Sequence, residues 1–156
     1  QYCIEILSFQ LMCFFYQVLS FYLKGDKFMT KKSELYKCNI CGNLVEVIKS
    51  GEGELVCCGE AMELIKPQIH EDEKYEHHIP VIIEHEDCNE IQVGKKPHPM
   101  ENEHYIEFVE VYTKDNKKIL RHYFNPKEEP SIKIPKCFDI GKAIAMCNIH
   151  GLWEKP

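Results

Sequence analysis

The last apolar run of the chain ends in Cys147-Asn148-Ile149-His150-Gly151, which puts a thiol and an imidazole on one short turn. A Cys-x-x-His pair can aim sulfur and nitrogen into the same small volume, and that is half of a metal site. Three further histidines stand beside turns: His78 just ahead of Ile79 and Pro80, His98 between Pro97 and Pro99, and His104 ahead of Tyr105. Each alone is more often a surface or packed residue. Together with the terminal pair they are candidate ligands presented by loops, where rigid scaffolds commonly carry their chemistry. A second donor set lies upstream. Cys38 and Cys41 enclose two residues and are followed by Gly42, and Cys57-Cys58 is followed by Gly59. Four thiolates suit zinc(II) or a mononuclear iron. The adjacent second pair departs from the two Cys-x-x-Cys pairs of a zinc ribbon and strains away from tetrahedral geometry. An iron redox centre is the sharper reading, and a zinc knuckle that only holds the N-terminal module is the plainer one.

The elements that must position these donors are short strands. In the first module, residues 44–48 read as a strand, 50–53 as a turn, and 55–56 as the return to the second cysteine pair. Some thirty residues bury too little apolar surface to be stable alone, so a bound metal is the expected staple. Residues 67–74, led by Pro67 and rich in acid, read as a linker, with His70 a solvated side chain. Beyond it, strand-like runs cover 79–84, 90–93, 105–113, 118–124, 131–134 and 143–147, with 114–117 as a hairpin turn. Prolines 97, 99, 126, 130 and 135 exclude long helices. This spacing predicts an antiparallel β-sandwich, with Glu107 and Glu110 blurring the alternation of one strand. The expected organisation is a hydrophobic N-terminal segment or upstream extension (1–28), a four-cysteine metal domain (29–66), the linker, and a β-sandwich domain (75–156).

Residues 2–23 are mostly apolar with Glu5 the only charge, which is long enough for a membrane anchor. The run from Met29 through Glu34 nevertheless reads as an ordinary cytosolic start, so an upstream extension is preferred to an anchor. Lys and Arg number 19 against 25 Asp and Glu, a net charge of −6, which argues against a general nucleic-acid surface. Nine cysteines, odd in number and clustered in short spacings, read as metal ligands in a reducing compartment rather than as a disulfide framework. Cys88 and Cys137 match no ligand position, and His85 and His122 have plain strand contexts. Trp153 is expected to cover apolar surface near the terminal pair.

Residues 29–156 resemble the desulfoferrodoxins, two-iron superoxide reductases. The resemblance is carried by the Cys-x-x-Cys with its later Cys-Cys-Gly, by Glu76-His77-His78-Ile79-Pro80, by Pro97-His98-Pro99-Met100, by His104-Tyr105-Ile106-Glu107, and by Cys147 through Gly151. It implies a mainly β protein: a desulforedoxin-like knuckle followed by an immunoglobulin-like sandwich, cytoplasmic and homodimeric. It implies two iron ions per chain. Cys38, Cys41, Cys57 and Cys58 would hold a rubredoxin-like iron. His78, His98, His104 and His150 would be the equatorial ligands of a second iron, with Cys147 axial.

The implied activity is one-electron reduction of superoxide to hydrogen peroxide, in defence against oxidative stress. The four-cysteine iron would be a relay, and a rubredoxin-like or other small protein the electron donor. Glu76 matches a glutamate that binds the ferric iron after turnover. His77 departs from the lysine usual at that position, so attraction of superoxide is expected to fall more steeply above neutral pH. The competing readings are a non-catalytic rubredoxin-like electron carrier and a zinc-binding interaction module.

Overall fold

The computed structural model describes residues 29–69 and 75–155. The readings of residues 1–28 and of His70 fall outside these residues. The chain divides into two compact units, one ending at Leu64 and the other beginning at Ile65. Among the described residues no helix is long and apolar enough to cross a membrane.

The described residues up to Ile65, at the boundary, form very short strands: β1 (Leu35–Lys37), β2 (Leu44–Glu46), β3 (Val56–Cys57), β4 (Glu60–Ala61) and β5 (Glu63–Ile65). Strands β2, β1 and β5 form one sheet, and β3 pairs with β4 in a two-stranded ribbon. Cys57 stands opposite Glu60, so Cys58 and Gly59 are a two-residue hairpin loop, both with positive φ (54° and 82°). That is the backbone of a type I′ turn. A glycine adopts it freely, whereas Cys58 does so at a cost. The turn is what lets two adjacent thiols face one point. Among the described residues the apolar core of the first unit is small: Leu35, Tyr36, Cys38 and Val47 are buried.

The second unit contains β6 (Pro80–Glu84), β7 (Cys88–Val93), β8 (Ile106–Thr113), β9 (Ile119–Tyr123), β10 (Ser131–Pro135), β11 (Ile140–Cys147) and β12 (Gly151–Glu154). Its sheets run β10-β7-β6 and β12-β11-β8-β9, with antiparallel pairing throughout. Between them lie Ile91, Val93 and Ile134 from one sheet and Val109, Val111, Ala143 and Ala145 from the other. This is the expected sandwich. Strands β7 and β11 begin two and three residues earlier than the strand reading, and two larger details differ from it. Gly151–Glu154 is itself a strand, because Gly151 (φ 77°) turns the chain back to pair Trp153 with Ala145.

The alternation in β8 is broken by a register shift. Met146 pairs with Phe108, but Cys147 pairs with Ile106, leaving Glu107 as the extra residue of a bulge. Ile106 therefore faces the core on the same side as Val109 and Val111. Glu110 falls on the other face, fully buried, and accepts hydrogen bonds from Tyr112 (2.5 Å) and Arg121 Nε (2.5 Å). The blurred period in the sequence is the bulge and this buried carboxylate.

Candidate metal centres

In the first unit the Cys38–Cys41 knuckle is closed by the Gly42 amide donating to the Cys38 carbonyl at 2.9 Å, with Gly42 at φ 77°. The Cys38 amide in turn donates to Asn43 O at 2.9 Å. The type I′ hairpin delivers Cys57 and Cys58 opposite. Sγ of Cys57 lies 3.6 Å from that of Cys41 and 3.9 Å from that of Cys58. These are the edges of a tetrahedron of sulfurs about 2.3 Å from a central ion, for which S···S is about 3.8 Å. Without a cation the four thiols cannot all ionise. Amides of Cys41 and Ile40 hold the Cys38 thiol down to about 7, while neighbouring thiols, Cys41 first, push Cys58 up to about 12 and also raise Cys57. One thiolate is easy here and four require a metal.

In the second unit the donors come from three segments at one end of the sandwich. His78 sits where a turn closes, its amide donating to Tyr75 O at 3.0 Å, two residues ahead of the start of β6. His98 and His104 lie on the connection from β7 to β8, and Cys147 ends β11. The period-2 alternation of Ala143, Ala145 and Cys147 points the sulfur into the core, where Cys147 is fully buried. His150 leads into β12.

One ligating atom from each of His78, His98, His104, Cys147 and His150 lies within 4.8 Å of all the others. The rings form a closed circuit: His78–His98 4.8 Å, His98–His104 4.6 Å, His104–His150 4.8 Å and His150–His78 4.7 Å between centroids. The opposite pair His78–His104 is 6.3 Å apart, close to the diagonal of roughly 6.7 Å that a square with those sides would have. Four near-equal sides and this diagonal fit a ring of imidazoles around one centre, and a fifth donor lies within reach of all four. That donor is Cys147, whose Sγ is 3.5 Å from His150 Nδ1. His78 Nε2 and His150 Nδ1 are 2.9 Å apart, the edge expected of two imidazoles on one ion at about 2.1 Å each.

The polar groups around the cluster fit a cation. His98 Nδ1–H donates to Pro99 O at 2.5 Å, which leaves the lone pair on Nε2. That Nε2 and His104 Nε2 are buried with no hydrogen-bond partner among the described residues. Such an unsatisfied nitrogen costs about 1–3 kcal/mol unless something binds it. Burial, then the neighbouring imidazoles, holds His78 down to about 4. Burial also takes His98 to about 4 and lowers His104. Three neutral lone pairs thus face the centre at neutral pH. Burial pushes the Cys147 thiol up, countered by the amides of His150 and Ile149, of which His150 N lies 3.4 Å from the sulfur.

The surrounding scaffold contains two positioning residues that the motifs did not mark. Asn148 accepts from the Tyr105 amide (3.0 Å) and donates to Glu103 O (2.9 Å), clamping the His104 connection onto the Cys147–His150 turn. Gln68 donates to His150 O at 2.5 Å and is bonded through its backbone to Leu152 and Glu154. Trp153 stacks on the His78 ring at 4.6 Å and 18°, the cover expected of it. Glu76 pairs with Lys95 at 3.1 Å and Lys96 at 3.9 Å, and His77 Nδ1 lies 3.1 Å from Lys96 O. Cys88 and Cys137 are free thiols outside both clusters.

Comparison with known proteins agrees with both halves. Residues 30–65 match the model of the desulfoferrodoxin N-terminal domain, and residues 70–156 that of desulfoferrodoxin. A desulfoferrodoxin homolog of Archaeoglobus fulgidus is 43% identical over 81% of this chain and 98% of its own length. A superoxide reductase of Pyrococcus horikoshii is 34% identical over 53% of this chain and 87% of its own. The crystal structure of the superoxide reductase from Treponema pallidum shares the fold with a TM-score of 0.58 at 22% identity, covering 78% of this chain and 94% of that one. Two matched donor sets, in two units that each match their own half of one family, place the chain in the desulfoferrodoxin family.

Proposed function

We propose that this protein is a superoxide reductase: it reduces superoxide, with one electron and two protons, to hydrogen peroxide at a mononuclear iron held by His78, His98, His104, His150 and Cys147. The observation that carries the reading is a ring of four imidazoles with a buried thiol within reach of all of them. A tetrahedral structural zinc would use four donors. Five donors arranged this way suit an ion with a further position for substrate. Bound as ferrous iron, the ion supplies the electron and the Lewis acidity.

The chain's own residues set the conditions. Burial keeps His78, His98 and His104 neutral, so these ligands leave the ion its positive charge and its attraction for an anion. Cys147, as a thiolate ligand, would contribute electron density to the iron, an effect also used by thiolates in haem proteins. The His150 amide beside the sulfur tempers that donation. Asn148 and Trp153 hold His104, Cys147 and His78 in place. By the family resemblance Glu76 would be the carboxylate beside the substrate position of the bound iron, with His77 its neighbour along the chain.

Cys38, Cys41, Cys57 and Cys58 would hold the second iron, which would serve as a relay for electrons from a rubredoxin-like or other small donor. Free thiols at every described cysteine favour a reducing cytoplasm. The working form is a homodimer, as the family resemblance implies. Stopped-flow or pulsed generation of superoxide tests the activity. The reduced protein consumes superoxide with peroxide as product, whereas Cys147→Ser loses the reaction and keeps the absorption of the four-cysteine iron. A Cys147→Ser variant of undiminished rate overturns the reading.

A further inference from the structure

The substrate proposed above is an anion, and the chain carries a net charge of −6. The three segments that hold the donors, 75–78, 94–105 and 147–150, contain three carboxylates (Glu76, Glu101 and Glu103). Their only lysines or arginines are Lys95 and Lys96. Coulomb repulsion would therefore slow every encounter unless these two cations offset it locally.

Their placement is built rather than incidental. Lys95 N donates to Glu76 O at 3.0 Å, and Gly94 N donates to Ile79 O at 3.0 Å. His77 Nδ1 meets Lys96 O at 3.1 Å. The loop can lie this close because position 94 is glycine. A Cβ there would stand 2.4 Å from Lys96 O and 2.6 Å from His77 O, and φ is +89°. The segment that delivers His98 is thereby fastened to the segment that delivers His78. Both ammonium groups then converge on Glu76, at 3.1 and 3.9 Å. The carboxylate is mostly covered (19% exposed), while the lysines remain 70% and 65% exposed. Two exposed cations on one largely buried anion leave a net positive charge facing solvent.

We propose that Lys95 and Lys96 are the anion-guiding element of the five-ligand site, anchored by Glu76 and aimed by Gly94. This rests on the reading of the site as a superoxide-reducing iron. The pair touches neither substrate nor iron and acts by raising the encounter rate of anions.

The test compares wild type with Lys95→Ala/Lys96→Ala and the charge-keeping Lys95→Arg/Lys96→Arg, each with its iron content measured. At about 0.01 M salt, where the field reaches some 30 Å, the alanine variant should react with superoxide about tenfold more slowly. The gap should close near 1 M salt, where screening shortens the reach to about 3 Å. The arginine variant should track wild type throughout. Azide binding, followed in the visible spectrum, should weaken by a similar factor in the alanine variant, while neutral nitric oxide binds unchanged. Equal salt slopes and equal azide affinity in wild type and alanine variant overturn the proposal. Should the alanine variant lose iron, the single variants Lys95→Gln and Lys96→Gln decide it, each expected to show part of the salt-dependent loss. If wild type fails to consume superoxide, the enzymatic reading falls, and the azide comparison still decides the role of the lysines.

Discussion

The two donor sets are assembled by opposite strategies. Cys38, Cys41, Cys57 and Cys58 come from two tight turns in a unit whose described residues form two- and three-residue strands with four buried apolar side chains. His78, His98, His104, Cys147 and His150 come from segments far apart in sequence, brought together by two sheets around a continuous core. The first set makes its fold, and the second is made by its fold. Where the core is too small the metal must supply the stability. Where the core is sufficient, the site can be held ready and its ligands tuned for chemistry.

Chelation should separate them most sharply. Removing metal should unfold the first unit, a loss on the order of 10 kcal/mol, while amide protons of β7, β8 and β11 stay protected in hydrogen exchange. Loss of protection in both units together would erase the contrast.

Acid should distinguish them next, by a few kcal/mol. His78 and His98 are held at about 4 in the fold, below the ordinary 6.5 of the unfolded chain. The unfolded chain thus binds more protons between those values. Metal-free protein should lose stability as pH falls from about 6.5 to about 4, then show no further effect of these groups. Denaturant melts across that range measure it, and a flat profile would mean that the imidazoles are not buried neutral.

Asn148→Ala is the smallest perturbation. It removes two bonds that clamp the His104 connection. The expected cost is roughly 1–3 kcal/mol in thermal stability of the second unit. Affinity of the five-ligand site for iron should fall about 10- to 100-fold, read by competition with a chelator. The four-cysteine site should be untouched, and an equal loss there would contradict the separation.

The same contrast explains which features are legible in the amino-acid sequence. The four-cysteine set is legible because its donors are neighbours along the chain and Gly42 and Gly59 mark their turns. The sandwich is legible from strand length and turn spacing. By residue type and spacing the set of four histidines and Cys147 is visible only as scattered candidates, which the family resemblance joins, because its ring exists only once β6, β8, β11 and their loops are paired. The Glu107 bulge, the strand at Gly151–Glu154 and the Asn148 clamp depend on cross-strand partners that no local pattern contains. Charge follows the same rule. The family resemblance expects a lysine next to His78, where this chain has His77, whereas the fold brings Lys95 and Lys96 to the adjoining Glu76.

Anomalous diffraction at the iron edge from crystals of the loaded protein tests the central claim most directly. Two peaks per chain are expected, one among the four cysteine sulfurs and one bonded to Cys147 Sγ and to a nitrogen of each of His78, His98, His104 and His150. A single peak at the cysteines, or a second ion bound by only some of the five side chains, would contradict it.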